Sequence, residues 1–446
     1  MVDMVVKGAR FLTRLSIAFI TRHIRPIVAS FVIGFFLFFL IIRTVPYVLP
    51  YIAPEVKTVG IVGMYTPSTL PYSIQRLVGM GLTEIDEKGE PKPAAATRWE
   101  ATDSGKRYIF YLRDDLIWHD GKPFTAHDVN YNISGVEFRI ENDKTISVLL
   151  KEPFAPLPVL LSRPLFRGNL SGLGPYKVSA LELNGDTLRL MKLKPLTSTY
   201  PELTLRFYST EATARTAFKL GEVSILEDQI NVSDLASWKH VKIEERVDHT
   251  HYVALFYNTK DTLLSDKSIR QALNFAVPAI DAEPATGPIS PLSWAYSNKV
   301  RQYKFDLAAA KRLLDKTGAA TSSASITLST FPTFLPLANR IAQSWQSLGL
   351  SVNVKIESAV SDSYQVLLGS QEIPPDPDQY PFWHSTQVAN ISKLDNKRID
   401  KLLEDGRKIL DKKDRLKIYL DFQRYLADEA PAAFLYYQKV YTVRRM

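Results

Sequence analysis

Cysteine is absent from all 446 residues. Disulfides, thiolate metal centres and cysteine nucleophiles are therefore excluded outright. The chain also lacks a G-x-S-x-G elbow, an H-E-x-x-H pair, a Walker phosphate loop and a dinucleotide-binding glycine fingerprint. None of the common sequence marks of catalysis is present, and the chain is not expected to be an enzyme. Asp376 and Asp378 are close in sequence, but spacing alone does not set two carboxylates across a cleft. Strong charge of one sign is missing too. The net +8 concentrates before residue 54, where Lys7, Arg10, Arg14, Arg22, Arg25 and Arg43 face only Asp3 and leave +3 for the rest. Such a surface does not suit a polyphosphate, so nucleic acid is not an expected partner. No cofactor is expected either.

One long hydrophobic run is present. Ile27–Ile42 is sixteen residues without a charge. Extended to Val45 or Val48, with Arg43 reaching the headgroups, it supplies the ~20 residues of a bilayer-crossing helix. Residues 26–48 are accordingly expected to be a transmembrane anchor. The cations ahead of it place the N-terminus in the cytoplasm and everything after Pro54 outside. Residues 1–25 form a basic segment in which Val2, Val5, Val6, Ala9, Leu12 and Phe19 recur at helical spacing. That pattern suits an interfacial helix on an anionic leaflet, or a frayed basic tail. A cleaved signal peptide is the competing reading, against which Pro46, Pro50 and Pro54 stand where a small-x-small site is needed.

Beyond the anchor, strand patterns alternate with helical ones, which argues for α/β architecture. Arg107–Leu112 alternates in hydrophobicity, Asp120-Gly121 marks a turn, and Thr125 with Asp128 forms a capping box at a helix start. Glu211–Leu220 is a helix stopped by Gly221, and Asp306 caps another running to Lys316 before Gly318. Val247–Tyr257 alternates as a long strand that carries His249-x-His251. With no third ligand in view for those histidines, or for His119 and His127, they are read as ordinary strand and turn residues.

The stretch Trp118–Val129 (WHDGKPFTAHDV) resembles the W-H-D/N-G-x-P-F-T-A-x-D-V signature of the family 5 extracellular solute-binding proteins, receptors of ABC importers. Other segments fit the same family in order: Gly81–Asp86, Pro93–Trp99, Gly172-Leu173-Gly174-Pro175-Tyr176, Asn258, Ile269–Val277, Thr286–Tyr296, Glu372–Ser385, and Arg415 through Pro431. The resemblance implies a two-lobed periplasmic-binding-protein-like fold (type II, cluster C). Lobe I would span 55–257 and lobe II 258–431, with 432–446 returning to lobe I as a strand. Hinges are expected near Tyr257–Asn258 and Pro431–Phe434. After Val129 a strand pair replaces the family's long helix, so the accessory domain is expected to be reduced.

The resemblance also implies the function: a membrane-anchored substrate-binding protein that captures oligopeptides by lobe closure for an ABC permease. A tethered extracellular sensor is the alternative, as is a non-peptide solute such as a nickel complex or an oligosaccharide. By the same resemblance, Met64, Tyr65 and Thr66 are cleft-wall residues of the first lobe. Trp294 and Tyr296 sit on a proline-stiffened loop, and Trp383 and His384 follow the acidic segment. In that segment Glu372, or Asp376 if the register slips, would pair with a peptide ammonium.

Overall fold

The computed structural model describes residues 22–52, 55–317, 325–359 and 363–446. The basic segment up to Thr21 and the helix stop at Gly318 lie outside the described residues. A 29-residue helix, Ile24–Ile52, leads the chain and leaves Phe31, Phe36, Phe38 and Leu40 exposed. Its described side chains run unbroken from Val28 to Thr44. Among the described residues no helix is long and apolar enough to cross a membrane.

Strand β1 (Val56–Val62) is followed by a hairpin of β2 (Thr83–Ile85) and β3 (Pro91–Pro93). A separate four-stranded sheet uses β4 (Ala96–Thr102), β5 (Arg107–Leu112), β6 (Val136–Asn142) and β7 (Thr145–Leu150), in the order β4-β5-β7-β6. The strand pair expected after Val129 is thus β6 and β7. The main sheet takes β8 (Tyr176–Asn184), β9 (Thr187–Pro195), β10 (Glu202–Tyr208), β11 (Ile225–Gln229) and β12 (Val241–Tyr257). It is completed by β13 (Ser325–Thr330), β14 (Ser351–Ile356), β15 (Val366–Glu372) and β16 (Ala432–Arg445). With β1 these form ten strands in the order β14-β13-β15-β12-β16-β11-β1-β10-β9-β8.

Local chemistry explains the turns that the sequence marks. Thr125 and Asp128 do form the reciprocal capping box, but it opens only a single 3₁₀ turn, Ala126–Asp128, rather than a longer helix. Asn130 to Ser134 has no helical continuation, so the cap closes a corner. That corner is fixed from below by His119, whose Nδ1 accepts the Gly172 N–H (3.2 Å) and whose Nε2 lies 2.9 Å from the Gly174 carbonyl. Gly172 is required there: a Cβ would sit 2.0 Å from the Val78 carbonyl oxygen. Both nitrogens of His119 therefore serve the scaffold.

Two cores flank the second half of the sheet. On one face Trp345, Ile341 and Leu273 pack with Val253, Leu255, Ile326 and Leu368. On the other, Trp383, Tyr419 and Phe422 pack with Tyr252, Phe256 and Tyr437. The first half has its own cores, around Met191 and Leu205 and around Phe218 and Leu226, and the four-stranded sheet buries Phe110, Trp118 and Phe124. Burying side chains of this size contributes about 1.5–3 kcal/mol each.

Candidate functional site

Two strands cross between the halves, and the site is built where they do. β12 pairs with β16 along nearly its whole length, Val241–Asp248 opposite Arg445–Gln438 and Ala254–Phe256 opposite Phe434–Ala432. The register shifts between Asp248 and Tyr252 and again between Val253 and Ala254. Before the first shift, Val241 and Ile243 pack with Val443 in the first half; after it, Val253 and Leu255 enter the second. The change of partner thus falls at His249–His251. Regular alternation through Val247–Tyr257 hides the extra residues of a bulge.

The bulge spends its polar groups locally. Thr250 O accepts the Ile373 N–H at 2.7 Å, and Tyr437 N–H donates to Glu283 O at 2.9 Å. His249 Nε2 lies 2.8 Å from Glu283 Oε1, with its ring edge-on to Tyr437. His251 Nδ1 lies 3.0 Å from Asp248 Oδ2. That hydrogen bond raises the His251 pKa above its ordinary 6.5, helped by the charges of Asp248 and Glu372 and opposed by burial. Burial works against the Asp248 carboxylate, but bonds from His251 and Thr250 hold it down to about 2.

The pair gives the crossing a pH dependence with a definite sign. A raised histidine stabilises the fold fully below about 6.5 and loses that contribution as pH rises through its higher folded value. The depressed aspartate contributes above 3.8 and loses it as pH falls through about 2. Thermal melts of the wild type and His251→Gln should therefore differ most below pH 6.5 and converge as pH rises past the raised folded-state value. Curves that stay parallel across that range would remove the pair from the crossing's energetics.

Glu372 closes β15 directly opposite His251 and is exposed. Among the described residues it makes no hydrogen bond or ion pair. The other acids of the segment are engaged. Asp376 is buried and holds Arg415 bidentately, Oδ1 to Nη2 at 2.7 Å and Oδ2 to Nη1 at 3.2 Å. The guanidinium also donates from Nε to Gly406 O (2.8 Å) and lies over the Trp294 ring. Asp376 is thus already matched by a cation, and this geometry does not offer it to a ligand ammonium. Asp378 accepts from Arg407 Nε at 3.0 Å; burial raises its pKa despite Arg407, and the Asp376 charge adds to the rise.

Trp294, Trp383 and Tyr296 of the second half share one core. Trp383 is 1% exposed, packed against Phe256 and Phe434. Trp294 meets Tyr419 edge-on, and Tyr296 Oη lies 3.0 Å from Thr286 Oγ1. His384 is buried, stacked on Tyr380 at 4.1 Å, with Nδ1 2.9 Å from Thr386 Oγ1 and Nε2 3.3 Å from Glu404 Oε1. In the first half, Tyr65 stacks edge-on to Phe207 and its carbonyl accepts Leu188 N–H, while Thr66 bonds Ser68 and Thr69. Met64 is 74% exposed. Hydrogen bonds do not join Met64–Thr66 to the second-half set among the described residues.

Sequence reasoning missed several buried polar groups of this core. Trp383 Nε1, Gln379 Nε2 and Tyr437 Oη have no hydrogen-bond partner among the described residues. It also missed Arg415 as the partner of Asp376. The helix face was legible, since Arg415, Tyr419 and Gln423 recur every four residues on the buried side of the helix Lys412–Glu429, but the partner of Arg415 was not.

The first half also touches the second through its hairpin and small sheet. Lys412 Nζ reaches Glu90 Oε1 (2.6 Å), Lys408 Nζ reaches Glu152 Oε2 (2.5 Å), and Ala155 N–H donates to Arg407 O (2.7 Å). Gly89 lies against the Pro375 carbonyl. Burial raises the Tyr108 hydroxyl to about 12, and the Arg415 and Asp376 charges act on it from across the contact.

Comparison with known proteins agrees with this architecture. The profile for bacterial extracellular solute-binding proteins, family 5 Middle, matches residues 90–139 and 133–390. The dipeptide-binding protein of Escherichia coli K12 is 26% identical, over 87% of this chain and 87% of its own length. The oligopeptide-binding protein AppA of Bacillus subtilis is 24% identical, over 84% of this chain and 83% of its own length. Among solved structures, NikZ from Campylobacter jejuni in complex with Ni(L-His) superposes with a TM-score of 0.73 at 22% identity, over 88% of this chain and 94% of that one. AppA from B. subtilis in complex with a nonapeptide gives 0.70 at 21%, over 88% and 95%. Fold, motif order and the match across most of the chain lead to one conclusion: this chain belongs to the family 5 bacterial extracellular solute-binding proteins, with their two-lobed periplasmic-binding-protein-like α/β fold.

Proposed function

We propose that the chain is a membrane-tethered receptor that captures an extended oligopeptide between its lobes and presents it to an ABC permease. The observation that carries this reading is Glu372. It is an exposed carboxylate at the free end of a sheet strand, beside the bulge where the two crossing strands change partners. A peptide ammonium placed there gains a charge-assisted hydrogen bond, and its backbone gains main-chain partners by strand addition. The lobes meet at His249–His251 and Tyr437–Gln438, where the shifted register lets them rotate. Met64–Thr66 supply the facing wall, and the core holding Trp294, Tyr296, Trp383 and His384 keeps the second wall rigid. Relatives that bind a dipeptide or a nonapeptide support the ligand class.

Tethering belongs to the same proposal. The helix Ile24–Ile52 presents Phe31, Phe36, Phe38 and Leu40 outward. The sequence to Val48 brings the apolar run to the ~20 residues a bilayer requires. Closure on ligand gives the permease a shape to recognise, because peptide shifts the open–closed population.

Native mass spectrometry of the full chain released from detergent micelles should show a co-purified peptide. Glu372→Ala should then weaken its binding at least ~10-fold, or about 1.4 kcal/mol. Unchanged affinity in that variant removes Glu372 from the site.

A further inference from the structure

Inside the second lobe a cavity of about 440 Å³ opens beside β16. Its floor is the strand edge at Ala432–Leu435, and its walls are the loop from Val277 to Thr286 and the segment Arg301–Phe305. None of Met64–Thr66, Trp294, Tyr296, Glu372, Trp383 and His384 lines it, so it is separate from the candidate cleft residues. Its volume falls in the range of small-ligand sites.

The strand edge there is left uncovered. Tyr257 N–H donates to Pro431 O, which sets the phase of the β12–β16 ladder. Hydrogen-bonded and non-bonded pairs alternate along an antiparallel ladder. Ala433, opposite Leu255, therefore faces β12, and Ala432 and Phe434 turn their main-chain groups the other way. The Ala432 carbonyl is taken by the Asn274 amide at 3.4 Å. From Leu435 onward the loop covers the edge, through Ala285 N–H to Leu435 O and Tyr437 N–H to Glu283 O. Neither the N–H nor the C=O of Phe434 finds a partner among the described residues. An unpaired edge of this kind is a template for a further strand.

The surroundings specify what strand would fit. Val277, Ile280, Ala285 and Leu435 give the lining an apolar part, beside the polar Asn274, Thr286, Gln302 and Tyr303. Two cations stand at the rim. Arg301 shares Asp428 with Lys267, whereas Lys304 is exposed and makes no hydrogen bond or ion pair among the described residues. Asp306, next to Lys304, is occupied in capping its helix through Ala309 N–H.

We propose that this cavity is a second peptide site. An extended segment with small apolar side chains and a free C-terminal carboxylate adds to β16 at Phe434, and its carboxylate meets Lys304 and Arg301. The site takes no ammonium, which separates it from the cleft at Glu372.

The probe is N-acetyl-tetra-alanine, which keeps the carboxylate and lacks the ammonium. It is titrated into the full chain in detergent micelles, with hydrogen exchange followed by mass spectrometry. Saturable binding should slow exchange over Ala432–Leu435. Lys304→Ala and the C-terminal amide of the probe should each weaken binding about fivefold through the lost charged contact. Ala279→Trp, at an exposed wall position, should abolish binding while leaving the melting temperature unchanged, and Glu372→Ala should have no effect. Absence of saturation at millimolar probe, or binding indifferent to Ala279→Trp, overturns the proposal. So does loss of binding in Glu372→Ala, which would move the probe into the cleft. Failure of ammonium-dependent binding at Glu372 leaves this site standing.

Discussion

Arg415→Met is expected to lower the melting temperature of the second lobe by roughly 10 °C, equivalent to a loss of about 3–5 kcal/mol. Arg415 is 6% exposed and Asp376 7%, so deleting the guanidinium leaves a carboxylate inside the protein without its cation. The same deletion strips Gly406 O of the Nε donor and Tyr419 of a neighbour at 3.1 Å. Burial alone would disfavour the charge on Arg415, yet the Asp376 carboxylate and Tyr419 raise its pKa further above an already high value. A pair held this tightly costs more to break than to replace. Asp376→Asn with Arg415→Met should therefore recover a substantial part of the loss. Arg415→Lys should fall between, because an ammonium cannot span both oxygens. Differential scanning calorimetry of the three variants decides it; a double variant no better than Arg415→Met would show that packing over Trp294, not charge, is what matters.

This pair also shows how far the sequence can be read. The motif Asp376-Pro377-Asp378 is visible as a turn, and the helix with Arg415, Tyr419 and Gln423 is visible as a helix. Nothing in linear spacing joins residues 39 positions apart, so in the sequence Asp376 is as available to a ligand as Glu372. The register shift along the crossing is hidden for a similar reason. Alternation from Val247 to Tyr257 is a local property, whereas the bulge at His249–His251 exists only against β16. Elements whose causes are local are legible: the helix Glu211–Leu220 has its Thr210 cap and left-handed Gly221, and the hairpin turn at Glu87–Glu90 has Asp86 accepting two main-chain N–H groups. The cavity beside β16 leaves no sequence trace, because it depends on which strand edge a distant loop fails to cover.

Gly89→Ala is expected to open the contact between the first-lobe hairpin and the second lobe. A Cβ at Gly89 would lie 2.3 Å from the Pro375 carbonyl oxygen and 3.1 Å from its carbon, both backbone atoms. Local relaxation is blocked, since Gly89 N–H is held by Asp86 O and Glu90 N–H by Asp86 Oδ1. The hairpin must therefore move as a unit, taking with it the Glu90–Lys412 pair. Alanine at a positive φ adds about 1–2 kcal/mol of strain on its own. Gly121→Ala supplies the control, because its φ is +85° and no atom lies within 4 Å of its Cβ position. With no native cysteine, spin labels at Ser198→Cys and Lys311→Cys report the distance between lobes without interference. In Gly89→Ala that distance should lengthen and broaden. If the closed form drops to a tenth of the population, apparent peptide affinity falls about tenfold. Gly121→Ala should lose stability and keep the wild-type distance. Equal distances and equal affinities in the two variants would mean that the Gly89 contact does not bear on closure, and the lobes would have to be held together by Lys408 and Arg407 instead.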